Sequence, residues 1–138
     1  MVSKRVLLDT HALLWLVQGE KLSESARDAI RSAATASALF VSPISSWEIA
    51  TLIRKRRLAL SQDAEDWFEG VLRVPGMSLA NMDWKVLTRS VTLPGDPPND
   101  PADRILISTA RRQQLRMITR DREILDYSRA GYVDAMEC

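Results

Sequence analysis

Cysteine is almost missing from this chain: among 138 residues there is one, Cys138, in the last position. No intrachain disulfide can form, so a packed core must hold the fold, and a lone thiol fits a reducing cytosol. Histidine is equally scarce. His11 stands alone, which excludes a ribonuclease mechanism built on a histidine pair. There is no Ser-His-Asp arrangement, no paired cysteine motif for zinc and no glycine-rich phosphate loop. Long apolar runs are absent too. The stretch Val6-Leu7-Leu8 near the N-terminus has the length of a strand, too short for a signal-peptide core or a membrane span. A cytoplasmic location without membrane association is the expectation.

What is present is the composition of a soluble globular protein, with 46% apolar and 27% charged residues. The length suits a single domain over residues 1–138, which buries roughly 68% of the surface its unfolded chain exposes. The net charge of +1 is unevenly spread, with basic residues gathered in Arg54-Lys55-Arg56-Arg57 and in Arg111, Arg112, Arg116, Arg120 and Arg122. Such runs suit helix C-termini, where cations complement the helix dipole, and they equally suit phosphate steering.

Strand and helix patterns alternate along the chain. Residues 4–8 read as a buried strand, and Asp9-Thr10 open an apolar helix to about Gln18 that Gly19 stops. Ser23 opens a helix to about Ser37, Leu39–Ser42 is a second strand, and Pro43 begins a helix to about Arg57. Asp63–Arg73 is a further helix, Met77–Ala80 a third strand and Met82–Ser90 a short helix. Pro94-Gly95-Asp96-Pro97-Pro98-Asn99 must be a loop. Pro101 starts a helix to Gln114, followed by strand Arg116–Thr119, a short helix after Asp121 and a last edge strand over Tyr132–Ala135. This alternation predicts a three-layer α/β/α domain around a mainly parallel sheet.

Four acids stand close to the apolar runs: Asp9, Glu48, Asp103 and Asp121. Each also suits a helix cap. Asp9 and Asp121 can cap the helices they precede, Asp100-Pro101-Ala102-Asp103 has a capping Asp and a third-position acid, and Ser45-Ser46-Trp47-Glu48 fits a capping box. Yet caps accept Ser, Thr or Asn as readily as Asp, whereas these positions are uniformly acidic. If Ser42-Pro43 is the true helix start, Glu48 lies more than a turn inside and has no capping duty. Trp47 and Ile49 beside it then imply a covered face, where an unpaired charge is costly. In an open α/β sheet the carboxyl ends of the strands share one crevice. Acids collected there need a divalent cation, and oxygen ligands suit Mg2+ or Mn2+.

The flanking residues carry a resemblance. Val6-Leu7-Leu8-Asp9-Thr10-His11-Ala12-Leu13-Leu14-Trp15, Ser45-Ser46-Trp47-Glu48-Ile49-Ala50, Asn99-Asp100-Pro101-Ala102-Asp103-Arg104 and Ile118-Thr119-Arg120-Asp121 occur in that order, with Lys55, Arg57 and Leu58 following the Glu helix. Together they resemble the PIN-domain ribonucleases, closely the VapC-type toxins of bacterial toxin–antitoxin pairs, over roughly residues 5–127. The resemblance implies that Asp9 and Asp103 are the principal metal ligands, that Glu48 and Asp121 complete the acidic cluster, and that Asp100 is an accessory ligand or only a cap. Glu123 competes with Asp121 for the last place. It further implies an Mg2+- or Mn2+-dependent endoribonuclease, a homodimer, an RNA substrate and a VapB-like antitoxin partner.

Thr10 and Thr119 are placed to hold carboxylates or waters, and equally suit a helix cap and a strand residue. Arg104 and Arg120 flank the acids, and one of the two is expected to grip phosphates or restrain the acids. His11 reads as structural, and Trp15 and Trp47 as core or interface. Two other functions remain open from these residues: a PIN-fold binding module without catalysis, and a PIN-type nuclease acting on DNA.

Overall fold

A computed structural model describes residues 4–138. Its first strand, β1 (Val6–Leu8), has every residue buried, as a continuous apolar run requires when both faces of a parallel sheet are covered. Asp9 then caps α1 (Thr10–Gln18), its Oδ1 accepting from the Ala12 N–H at 2.8 Å, and Gly19 ends the helix in the left-handed conformation at φ 75°. Ser23 caps α2 (Glu24–Thr35), which leads to β2 (Leu39–Val41). Ser42 caps α3 (Pro43–Arg54), with proline in the first turn, where its missing N–H costs nothing. The chain continues through α4 (Ala64–Leu72), β3 (Met77–Leu79), α5 (Trp84–Val91) and α6 (Pro101–Gln113) to β4 (Arg116–Thr119), α7 (Arg122–Arg129) and β5 (Ala135–Glu137). Before β3 the backbone of Gly76 passes so near Ala34 that a Cβ would sit 2.1 Å from its carbonyl oxygen, at a φ of 84°. Only glycine fits there.

The five strands are ordered β3-β2-β1-β4-β5 and every pairing is parallel. The sheet divides the core into two clusters by strict alternation. Val6 and Leu8 face α1–α4 with Ala26, Ile30, Ile49 and Phe68, whereas Leu7 faces α6 and α7 with Leu106, Ile107, Met117 and Ile124. These are the expected three layers, and the sheet is wholly rather than mainly parallel. From β1 the chain winds outward to β2 and β3 on one side, and β4 and β5 occupy the other. The crevice above the carboxyl ends of β1 and β4 is therefore the switch point where open α/β sheets bind ligands.

Element boundaries depart from expectation mostly at frayed helix ends. The last strand differs more. Tyr132–Ala135 was expected to pair, but the strand is Ala135–Glu137. Tyr132 instead stacks on Tyr127 with ring centroids 5.0 Å apart, and Val133 enters the core. Pairing begins only after these two side chains have packed. Trp47 is a second departure. It is 61% exposed rather than covering the face near Glu48. Among the described residues, no helix is long and apolar enough to cross a membrane.

Candidate active site

The crevice holds a cavity of about 370 Å3 lined by Asp9, Thr10, His11, Trp15, Glu48, Asp100, Asp103, Leu106, Arg120 and Asp121. Residues separated by more than a hundred positions of chain thus meet because β1 and β4 are adjacent and in register, Leu8 opposite Ile118. Larger clefts lie elsewhere on the surface, but none of those described gathers the acids.

Asp9 is 93% removed from solvent and does two things at once. Its Oδ1 caps α1, while its Oδ2 accepts from the Thr119 hydroxyl. The same Thr119 oxygen accepts from the Asp121 N–H at 3.0 Å, so one buried hydroxyl orients Asp9 and ties down the start of α7. Each Asp9 oxygen keeps a lone pair for another partner. Burial raises the Asp9 pKa above the usual carboxylate range, and the hydrogen bonds from Thr119 and Ala12 oppose that rise.

Glu48 reaches the cavity from the second turn of α3. Ser42 is the cap of that helix, so the capping-box reading of Ser45 and Glu48 fails and the carboxylate is free for the site. The Thr10 hydroxyl donates to Glu48 Oε1 and lies 2.8 Å from Ser45 Oγ. With its proton given to Glu48, Thr10 must accept from Ser45, which is fully buried. Ser45 is the site residue that sequence reasoning missed. Its only signal was a small polar side chain three residues before Glu48, and that signal also fits a cap. Burial raises the Glu48 pKa as well.

Asp100 caps α6 through the Asp103 N–H at 3.0 Å. Asp103, in the first turn of that helix, is pushed up to about 8 by burial first and then by the charges of Asp100, Asp121, Glu48 and Asp9. Asp121 caps α7 through the Ile124 N–H at 3.1 Å and still lines the cavity. Its rival Glu123 is exposed and does not line it.

The two arginines part company. Arg104 turns away: its Nε donates to the Pro98 carbonyl at 2.7 Å, with Ser90 and Val91 carbonyls at 3.5 Å, so it anchors the proline-rich loop to α5 and α6. The expected grip of Arg104 on substrate does not match this placement. Arg120 lines the cavity, places its guanidinium carbon 4.1 Å from the Trp15 ring centre, and donates to the carbonyls of Lys21 at 2.6 Å and Cys138 at 3.2 Å. Trp15 is thus the platform of this cation. His11 is exposed and rests against the Trp15 ring.

Five carboxylates share this cavity, and none takes part in an ion pair among the described residues. Among the described residues, no three of them already stand as a closed metal cage. The fit to a divalent cation therefore lies in donor chemistry: carboxylate oxygens, partly desolvated and without an ion-pair partner among the described residues, with the most buried carboxylate held by the Thr119 hydroxyl.

A PIN domain family model matches residues 6–130. This chain belongs to the PIN-domain family. It is 33% identical over 123 residues to ribonuclease VapC22 of Mycobacterium tuberculosis, covering 86% of this chain and 88% of that one. That likeness puts it with the VapC-type PIN proteins. Its fold is shared with the VapBC2 complex of Rickettsia felis bound to a promoter DNA fragment, at a TM-score of 0.66, 12% identity and coverage of 96% and 97%. DNA-bound VapBC of Salmonella typhimurium gives 0.65, 16%, and 97% and 98%. FitAcB of Neisseria gonorrhoeae gives 0.61, 15%, and 95% and 96%.

Proposed function

We propose that this PIN protein is a metal-dependent endoribonuclease acting in the cytoplasm as the toxin of a toxin–antitoxin pair. The observation that carries the reading is the set of five carboxylates, from four different helices, gathered around one cavity with no ion-pair partner among the described residues. Asp9 and Asp103 hold an Mg2+ or Mn2+ ion, with Glu48, Asp121 and Asp100 as secondary partners. When bound, the ion supplies Lewis-acid polarisation of a phosphoryl oxygen and lowers the pKa of a water.

The chain's own residues prepare the rest. Thr119 fixes the Asp9 carboxylate, and the Ser45–Thr10 relay fixes Glu48, which orients the attacking water. Arg120, held by Trp15 and two carbonyls, places a positive charge at the rim for a substrate phosphate. Thr10 and Thr119 act through the acids they hold.

A VapB-like antitoxin as partner draws support from the fold neighbours, which are toxin–antitoxin complexes. Apolar surface is available for it between α3 and α4, where Trp47, Phe68 and Leu72 border a cleft. The homodimer remains part of the same proposal. Incubating the purified protein with labelled RNA and with labelled DNA, in Mg2+ and then in chelator, tests the reading. RNA cleavage that chelator abolishes is expected; metal-independent cleavage, or cleavage of DNA alone, would refute it.

A further inference from the structure

Away from the acids, α5 and the C-terminal half of α6 enclose a cleft of about 560 Å3 that contains three arginines, Arg89, Arg111 and Arg112, with the buried Ser108 at its floor. A second cleft of about 500 Å3 adjoins it, sharing Arg89 and Arg112 and ending on Trp84. Trp84 is 69% exposed, with the Lys85 ammonium 5.6 Å from its ring centre. None of these four cations takes part in an ion pair among the described residues. Arg111 donates to the Tyr132 carbonyl. Asp83 lies within electrostatic reach of both Arg112 and Lys85, but its carboxylate is engaged in capping α5 through the N–H groups of Lys85 and Val86.

Arg111 and Arg112 alone would be unremarkable, because cations suit the last turn of α6. Arg89 comes from another helix, and that changes the reading. The helices run antiparallel, since Ser108 Oγ donates to the Val86 carbonyl while Arg104 reaches the carbonyls of Ser90 and Val91. Guanidinium groups from both therefore converge on one strip of surface. Planar, poorly hydrated guanidinium forks favour phosphate oxygens, and an exposed indole beside them suits an unstacked base.

We propose that this strip is a second RNA-binding surface, in which Arg89 and Arg112 hold backbone phosphates and Trp84 stacks a base. The proposal deepens the ribonuclease reading and rests on it for the identity of the polyanion. Asp103 and Arg111 are eight residues apart on α6, about 12 Å along its axis. Arg112, nine residues beyond Asp103, lies about half a turn round the helix from it, so the strip is a surface separate from the acid cavity. Recognition of this kind selects substrate by backbone and shape, and it raises affinity without touching the reacting phosphate.

The test is the affinity of a fluorescein-labelled single-stranded RNA of mixed sequence, measured by anisotropy in chelator so that no cleavage intervenes. For the Arg89→Ala, Arg112→Ala variant the affinity is expected to fall about tenfold or more. The slope of log affinity against log salt is expected to flatten by about 1.4, for two lost contacts to a single strand. Trp84→Ala is expected to cost fivefold or more with its salt slope kept. Mg2+ binding by calorimetry and the circular dichroism spectrum stay unchanged. Should the double variant fold poorly, Arg89→Gln and Arg112→Gln singly keep most of each stem and are each expected to flatten the slope by about half as much. Wild-type affinity and slope in these variants would overturn the proposal, as would a loss of affinity for polyglutamate without any loss for RNA. A protein that cleaves nothing in Mg2+ but shows the binding loss keeps this surface and removes the nuclease reading; cleavage with undiminished binding does the reverse.

Discussion

Helix α6 begins among carboxylates and ends among arginines, and the two ends are built differently. At its start Asp103 is partly covered and Asp100 caps it, and both border a cavity whose most buried acid is fixed by Thr119. At its end Arg112 is exposed and Arg111 is tied only to one carbonyl. The helix dipole accounts for the sign of charge at each end, but an effect of about 0.3–1 kcal/mol does not draw Asp9, Glu48 and Asp121 in from three other places in the fold. Convergence from separate elements is the informative feature. A site that must hold an ion uses buried, oriented groups; a surface that must slide along a polyanion needs only exposed, long ones.

Removing charge from the acid end should give the largest effect. Asp9→Asn keeps the cap of α1, because Asn caps as well as Asp, so the fold is retained. Cleavage of RNA in Mg2+ should fall by about 10^3-fold or more, and Asp103→Asn should do the same, since each removes several kcal/mol of charge stabilisation. Growth arrest on expression should vanish with either. Undiminished toxicity of the folded double variant would show that the acids around the start of α6 do not hold the ion that cleavage needs. Thr119→Val is milder: it leaves every ligand in place and deletes the hydroxyl that orients Asp9. A loss of about 10–100-fold is expected, visible in kcat and in Mg2+ affinity, with RNA affinity in chelator unchanged.

The acid end should also make the metal-free protein sensitive to pH. The Asp103 pKa is raised from 3.8 to about 8, so the folded state binds the proton more tightly than the unfolded chain does. Its stabilising contribution is full below about pH 4 and is lost as pH climbs through 8. The raised pKa values of Asp9 and Glu48 act with the same sign. In chelator the Tm should therefore decline between pH 4 and 8. Asp103→Asn should flatten that decline and melt higher than wild type at pH 8. With Mg2+ present the order should reverse, because only wild type gains from the ion, and Mg2+ affinity should strengthen over the same window. A Tm that rises with pH in chelator would contradict the electrostatic account.

Most of the fold was readable because β1 and β2 are short, wholly apolar runs, because β3 and β4 are short and partly apolar, and because most helices open on a capping residue that the structure uses: Asp9, Ser23, Ser42, Asp63, Asp100 and Asp121. β5 was misplaced because Tyr132 and Val133 look like strand residues locally, and only their packing, Tyr132 on Tyr127 and Val133 in the core cluster with Leu106 and Ile107 of α6, decides otherwise. The acids of the site were readable because their charge is unusual beside apolar runs. Of their supports, Thr10 and Thr119 were readable from their places beside the acids, but Ser45 was not. It is an ordinary residue whose role exists only through a contact 35 positions away. The opposite destinations of Arg104 and Arg120 likewise depend on which carbonyls lie near each, a matter no local pattern encodes.

The smallest expected effect concerns Asp100, which sits at the boundary between capping and charge clustering. Its Oδ1 accepts from the Asp103 N–H, and Asn would accept in the same way, so Asp100→Asn should leave the stability at pH 4 within about 0.5 kcal/mol of wild type. The charge, however, is the second-largest cause of the raised Asp103 pKa. Losing it should lower that pKa and raise the chelator Tm at pH 8, though less than Asp103→Asn does. Asp100→Ala removes cap and charge together and should cost about 1 kcal/mol at pH 4. If Asp100 is only a cap and a charged neighbour, Asp100→Asn should weaken Mg2+ binding by a few-fold at most. A loss as large as that of Asp9→Asn would instead make it a principal ligand, and would extend the metal-holding end of α6 one turn further toward solvent.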